Sequence, residues 1–355
     1  MSMIKVLVVD DSAVIRQLVK EILERDPEIE VVAVASDAYF AQRKLDLHDP
    51  DVITLDIEMP GMDGISFLEK VMHSKPTPVV MLSSYTDRHA TETFKALELG
   101  AVDFVTKPKT NIGEGIEALA QELILKVKAA AKANIRKTHP KLHTALEQGA
   151  DEVSTPKSSA GTKAGNRVIV LGASTGGTVA ISDLLSLLPK DSPGIAIVQH
   201  MPEQFTGAYA DRINGLVALD VSEAQNGDRL RRGAVLIAPG GKHMLLQKDY
   251  RGYYVQVKDG PPVNRHKPSV DVLFRSAASS AGHEAIGIIL TGMGSDGAKG
   301  MRELKDAGAF NIAQSKETCV VFGMPKVAIE LGGVDKIAAI EQIPHLLAQQ
   351  DRKAS

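Results

Sequence analysis

The chain alternates short apolar runs with amphipathic stretches, and it does so in two separate blocks. In the first block the runs near 4–9, 31–35, 52–55, 79–82 and 102–105 are rich in Val, Ile and Leu and have the length of strands. Between them, helical spacing of apolar residues predicts helices near 13–25, 37–47, 64–73, 88–99 and 112–128. Five βα units in succession predict a parallel, doubly wound sheet. Ser12 and Asp37 stand where they can cap the helices that follow, and Pro60-Gly61-Met62-Asp63-Gly64 forces a turn. The second block predicts strands at 167–171, 195–199, 234–238, 286–290 and 309–313, with a hairpin near 243–257 turning at Asp249-Tyr250-Arg251-Gly252. Its long βα crossovers again favour a mainly parallel sheet. The blocks share an architecture but no motif.

Residues 126–166 lack this periodicity. They begin basic and Ala-rich and become rich in Ser, Gly and Pro, which predicts a linker that is helical only at its start. The expected organisation is therefore a domain at 1–125, a linker at 126–166 and a second domain at 167–348, both domains being α/β and doubly wound.

Composition narrows the possible roles. With 355 residues and 44% apolar content, the chain can bury two ordinary cores. A net charge of -3 supplies no electrostatic reason to expect nucleic acid or an anionic membrane. The single cysteine, Cys319, cannot form an internal disulfide, which suits a reducing cytoplasm. No basic leader with an apolar core precedes the first strand, and no apolar run reaches the roughly 20 residues that span a bilayer. The expectation is a soluble, cytoplasmic protein with no direct membrane insertion.

The first block places chemistry at its strand ends. Asp10 and Asp11 follow the first strand, Asp56 ends the third, and Lys107, before Pro108, ends the fifth. A parallel sheet would gather these side chains at its carboxyl edge. Clustered carboxylates call for a hard cation, so Asp10, Asp11 and Asp56 are expected to hold Mg²⁺, with Asp56 as phosphoacceptor and Lys107 as the partner of a phosphoryl oxygen. Ser83 ends the fourth strand and could reach the new phosphate; Phe104 could repack in response. A lone Asp here would more simply cap a helix, but the combination is specific. Residues 4–125 resemble a response-regulator receiver domain, through Asp10, Asp11, Asp56, Ser83, Phe104, Lys107, Pro108 and Met59-Pro60-Gly61-Met62-Asp63-Gly64. The resemblance implies a flavodoxin-like fold and phosphotransfer to Asp56 from a histidine kinase.

In the second block, Gly172-Ala173-Ser174-Thr175-Gly176-Gly177 follows a strand and opens a helix. Small residues on both sides let the Ser174 hydroxyl project from a sharp turn, as in a nucleophile elbow. Alone this signal is weak, because a Gly-rich turn also suits a nucleotide phosphate. A serine nucleophile needs a base. His200 ends the strand 195–199; His243 and His266 are rivals in loop-like surroundings, and His283 precedes a strand, at the wrong edge. Asp296 lies just past the strand 286–290, where it could orient the base or simply cap the next helix. Ser174, His200 and Asp296 together supply nucleophile, base and orienter, and the glycines around Met293 free backbone amides for an oxyanion.

These residues carry a second resemblance. Residues 167–348 are similar to the catalytic domain of the protein-glutamate methylesterases of bacterial chemotaxis, through the 172–177 turn, Val198-Gln199-His200-Met201-Pro202, Ile237-Ala238-Pro239-Gly240-Gly241-Lys242-His243-Met244, Pro268-Ser269-Val270-Asp271-Val272-Leu273-Phe274 and Leu290-Thr291-Gly292-Met293-Gly294-Ser295-Asp296-Gly297. The resemblance implies a Rossmann-like domain with Ser174, His200 and Asp296 as triad and the Met293 amide as oxyanion donor. It also implies methyl-ester hydrolysis and glutamine deamidation on the cytoplasmic helices of chemoreceptors, with no cofactor for the esterase step. The tandem order implies control of this chemistry by phosphorylation. Two rival readings are a receiver-regulated nucleotide-binding enzyme and a binding-only output domain. The first predicts nucleotide binding that survives Ser174→Ala; the second predicts a basic helical segment in place of the strands.

Overall fold

The computed structural model describes residues 3–84, 87–107, 116–135 and 167–353. Pro108 and residues 136–166 of the expected linker lie outside the described residues. The chain divides into two compact units, 1–138 and 139–355.

The first unit runs β1 (Ile4–Val9), α1 (Ala13–Leu23), β2 (Ile29–Ala35), α2 (Ala38–His48), β3 (Val52–Asp56), α3 (Gly64–Ser74), β4 (Val79–Ser83), α4 (Asp87–Glu98), β5 (Asp103–Thr106) and α5 (Ile116–Ala130). The strands form one parallel sheet in the order β2-β1-β3-β4-β5. β3 and β4 are buried throughout, as expected of strands covered on both faces, and this explains their largely apolar sequences. The capping residues are those the sequence marks. The Ser12 hydroxyl accepts from the Ile15 amide, and Asp37 accepts from the amides of Tyr39 and Phe40. The order reverses between β1 and β3, which opens a crevice at the carboxyl edge. Helix α5 continues past the expected boundary at 125. Lys128 in its last turn pairs with Asp26 at 2.9 Å, and Val127, Ala129 and Ala130 are buried, so the Ala-rich segment belongs to the domain up to there.

The second unit runs β6 (Val168–Ala173), α6 (Gly177–Ser186), β7 (Gly194–Gln199), α7 (Glu203–Asn214), β8 (Asp220–Glu223), β9 (Ala234–Ile237), β10 (His243–Asp249), β11 (Gly252–Lys258), α8 (Val270–Ser280), β12 (Ala285–Ile289), α9 (Ala298–Asp306), β13 (Phe310–Gln314), α10 (Met324–Glu330), β14 (Lys336–Ala338) and α11 (Ile343–Lys353). Seven strands form a parallel sheet ordered β14-β13-β12-β6-β7-β9-β8. β10 and β11 form a separate antiparallel hairpin, as the 243–257 pattern predicts. Its inward residues Met244, Leu246, Tyr253 and Val255 join Leu273, Phe274 and Ala277 of α8 in one core. The two edge strands, β8 and β14, are additions to the expected set. Each has only three or four residues and carries exposed polar side chains, so neither shows an apolar run. The order reverses between β12 and β6, which again marks a carboxyl-edge crevice. Among the described residues no helix is long and apolar enough to cross a membrane.

Candidate active site and phosphoacceptor site

Strand register brings the serine and the histidine together. Ala173 at the end of β6 pairs with Gln199 at the end of β7, so Ser174 and His200 are the next residues on neighbouring strands. Two backbone bonds fix the turn: the Ser174 amide donates to the Thr291 carbonyl at 3.0 Å, and the His200 amide to the Ala173 carbonyl at 3.2 Å. Beneath them the Gln199 side-chain amide donates to the carbonyls of both Ser174 (3.1 Å) and His200 (3.2 Å), tying the two strand ends to each other. Gly176, at φ +75°, turns the chain into α6.

Asp296 meets His200 from the other side of the reversal. His200 Nε2 lies 2.8 Å from Asp296 Oδ2. An ionised carboxylate only accepts, so neutral His200 carries its proton on Nε2. Its Nδ1 is left as a buried acceptor with no hydrogen-bond partner among the described residues. Ser174 is therefore the neighbour of His200 by strand register, with no bond from its hydroxyl to Nδ1. Catalytic hydrogen bonds of this kind commonly close only around a substrate.

The carboxylate is heavily supported. Oδ2 also accepts from the Val270 amide at 2.7 Å; Oδ1 accepts from Asn264 Nδ2 and Ser269 Oγ, each at 2.7 Å, and from the Asp271 amide at 3.3 Å. Burial alone would raise its pKa, but the bonds from His200, Asn264 and Ser269 outweigh it and hold the carboxyl well below the usual carboxylate range. The helix-cap alternative for Asp296 does not apply: α9 starts at Ala298, with Gly297 as its cap residue.

The 291–294 loop lies beside Ser174. Its Gly292 amide donates to the Val321 carbonyl, and its Gly292 carbonyl accepts from Met324 at 2.8 Å. A Cβ on Gly292 would lie 2.8 Å from Ser174 Cβ, so the loop can approach only because position 292 lacks a side chain. The next amide, Met293 N–H, has no hydrogen-bond acceptor among the described residues, as an oxyanion donor requires.

The rival histidines have distinct settings. His243 is buried; its Nε2 donates to the Pro261 carbonyl at 3.0 Å, and its Nδ1 accepts from the Ser269 amide at 3.2 Å, so both nitrogens are engaged in holding the Ser269 segment. His266 lies against His200, rings parallel, with centroids 3.7 Å apart. His283 is in the 3-10 turn before β12, away from the carboxyl edge. Asn264, Ser269 and the Val270 amide were not foreseen, although the Pro268-Ser269-Val270-Asp271 stretch lies within one of the motifs noted above.

The first unit gathers its predicted residues at the β1/β3 crevice. Lys107 Nζ lies 2.7 Å from Asp10 Oδ2 and 2.7 Å from Asp56 Oδ2. Asp10, Asp11 and Asp56 each bring a carboxylate oxygen within 4.8 Å of the others. Three hard oxygen donors, with Asp11 exposed and the other two buried, fit a divalent cation such as Mg²⁺ that keeps part of its water shell. Burial pushes the Asp56 pKa up to about 6, against the lowering effect of Lys107 and with a further rise from Asp10. Gly64 is required here: a Cβ would lie 1.9 Å from the Asp56 carbonyl oxygen. Ser83 is buried and accepts from Thr93 Oγ1 at 2.9 Å, a bond to α4 that strand patterning does not reveal. Phe104 is buried, with Lys126 Nζ 5.0 Å from its ring centre.

Comparison with known proteins agrees with this division. Residues 169–347 match the model of the CheB methylesterase family, and residues 6–120 that of the response regulator receiver domain. A protein-glutamate methylesterase/protein-glutamine glutaminase 1 of Geobacter metallireducens is 51% identical over 346 residues, covering 97% of this chain and 95% of its own length. A protein-glutamate methylesterase/protein-glutamine glutaminase 2 of Hahella chejuensis is 51% identical over 96% of this chain and 94% of its own. Among solved structures, the CheB methylesterase catalytic domain of Thermotoga maritima has a TM-score of 0.50 and 39% identity, covering 52% of this chain and 97% of that one. Half of all positions are shared with relatives matched over nearly their whole length, and the two domain matches fall on the two units in the same order; the chain belongs to the CheB methylesterase family, with a response-regulator receiver domain preceding the methylesterase domain.

Proposed function

We propose that this protein hydrolyses γ-glutamyl methyl esters on the cytoplasmic helices of chemoreceptors, and deamidates glutamines there, when Asp56 is phosphorylated by a histidine kinase. Ser174 is the nucleophile. His200 takes its proton at Nδ1 as the Ser174 oxygen adds to the ester carbonyl. Asp296 holds the Nε2 tautomer and stabilises the imidazolium that forms. The Met293 amide donates to the carbonyl oxygen as it becomes an oxyanion. His200 then returns the proton to the leaving methanol, or to ammonia when the substrate is glutamine, and water cleaves the acyl-enzyme by the reverse sequence. The esterase step uses only these groups, and the reading assigns neither nucleic-acid binding nor membrane insertion to this cytoplasmic enzyme.

In the receiver, Asp56 accepts the phosphoryl group and Lys107 pairs with one of its oxygens. Mg²⁺ held by Asp10, Asp11 and Asp56 would neutralise charge on the transferred group. Ser83 would exchange its bond from Thr93 for one to the phosphate, with Phe104 repacking in response.

The observation that carries the reading is the His200–Asp296 pair at 2.8 Å with Nδ1 left bare, at the position that the β6–β7 register sets opposite Ser174. The test is methanol release from methylated receptor by the phosphorylated full chain. Ser174→Ala is expected to fall to background; a variant as fast as wild type would remove Ser174 from the chemistry.

A further inference from the structure

A short turn that belongs to none of the seven strands touches both members of the His200–Asp296 pair. Val263 and His266 close it by exchanging backbone bonds, 3.0 Å from the Val263 amide and 2.9 Å from the His266 amide. Its two central residues, Asn264 and Arg265, both have positive φ (52° and 69°), the conformation of a type I′ turn. Asn is among the few side chains that tolerate that region, and here its side chain is used. Asn264 Nδ2 donates both to Asp296 Oδ1 and to Asp271 Oδ2, each at 2.7 Å. Both carboxylates are buried, so the one amide group bridges two charges that water does not reach. Asp271 is in turn fixed by the Gly300 amide, also at 2.7 Å.

Two residues further on, His266 lays its ring on His200 at 3.7 Å with 7° between the planes. The torsion that rotates an imidazole about its Cβ–Cγ bond is soft and broad. Asp296 constrains one edge of the His200 ring; a flat neighbour against its face constrains the tilt. Together the two constraints fix the direction in which Nδ1 points.

We propose that residues 263–266 form a positioning clamp for the general base: His266 sets the plane of the His200 ring, and Asn264 ties that turn to the carboxylate that orients it. His266 exchanges no proton with substrate; it acts through His200. The proposal rests on the assignment of Ser174, His200 and Asp296 given above.

The test uses the phosphorylated full chain and methanol release, with kcat and KM separated. Misplacing a catalytic group by about 1 Å can cost on the order of 100-fold, so His266→Ala is expected to lower kcat by roughly 10- to 100-fold with little change in KM. His266→Phe keeps a flat ring and discards the titratable nitrogens; it is expected to recover most of the lost rate. Asn264→Gly keeps the positive φ and removes the bridge; because both residues work through one turn, the Asn264→Gly, His266→Ala double variant should be little slower than the slower single. Thermal melting of each variant reports on folding independently. A His266→Phe variant as slow as His266→Ala would overturn the clamp, as would full kcat in His266→Ala or an effect confined to KM. If Ser174→Ala itself remained active, the triad assignment would fail instead, whatever the His266 variants did.

Discussion

Asp296→Asn isolates what the buried carboxylate contributes. Asp296 takes four bonds of 2.7–2.8 Å, two on each oxygen. An amide offers one oxygen and one NH₂. If the oxygen faces His200 and Val270, the NH₂ meets the Asn264 amide group, which cannot turn away without leaving Asp271. If the oxygen faces Asn264 and Ser269, the NH₂ meets the Val270 amide and His200 Nε2, and the imidazole must move its proton to Nδ1. That nitrogen can then no longer take a proton from Ser174. In either orientation one buried donor is unsatisfied, a cost of about 1–3 kcal/mol. For a lobe of this size that corresponds to a fall of about 2–12 °C in melting temperature. The imidazolium also loses its counter-charge, and wrong-tautomer variants of such triads lose about 10⁴ in kcat, about 5 kcal/mol of transition-state stabilisation. Methanol release measured alongside calorimetry separates the two effects. The acid limb is a further check. The Asp296 carboxyl lies well below its ordinary 3.8 when folded, so its stabilisation is complete above that pH and drains as pH falls beneath it. The Asn variant should lack that part of the acid sensitivity. A variant retaining more than about a tenth of wild-type kcat, against the expected 10⁴ loss, would refute the orienting role of Asp296.

Two further expectations concern other sites. The Asp56 carboxyl, raised from 3.8 to about 6 by burial, binds its proton more tightly folded than unfolded, so the receiver loses up to about 3 kcal/mol as pH rises between those values. With divalent cations chelated, Asp56→Asn should stabilise the receiver at pH 7 and not at pH 4, read as a denaturation midpoint; equal effects at both pH values would contradict this. Gly292→Ala would place a methyl 2.4 Å from Met324 Sδ and 2.8 Å from Ser174 Cβ, so kcat should fall at least about tenfold through displacement of Ser174, and unchanged kinetics would show that the loop moves aside freely.

Much of this was legible in the chain because parallel sheets write their sites at strand ends. Asp10, Asp56, Ser174 and His200 each end or directly follow a mainly apolar strand of five or six residues, and the parallel register does the rest. Asp296 was legible as a residue past β12, but its setting was not, since the same position suits a helix cap. The supports around it come from residues 264–271, where no periodicity signals a contact. The one local clue was an Asn between Val263 and His266, a residue able to hold positive φ. Thr93 was hidden for a different reason: it lies on the inner face of α4, where a threonine reads as an ordinary helix position until Ser83 is seen opposite. The short edge strands β8 and β14 bury too little surface to leave a pattern.

The strand order of the second unit has a consequence for synthesis. The hydroxyl, the imidazole and the carboxylate follow β6, β7 and β12, so 122 residues separate the first from the last (296 − 174). β6 sits between β7 and β12, and its carboxylate-bearing neighbour is made long after it. A nascent chain therefore carries Ser174 and His200 well before Asp296 is added. The proposed triad can be complete only after synthesis has passed Asp296 and β12 has paired with β6, so the activity proposed for Ser174 is expected to appear late.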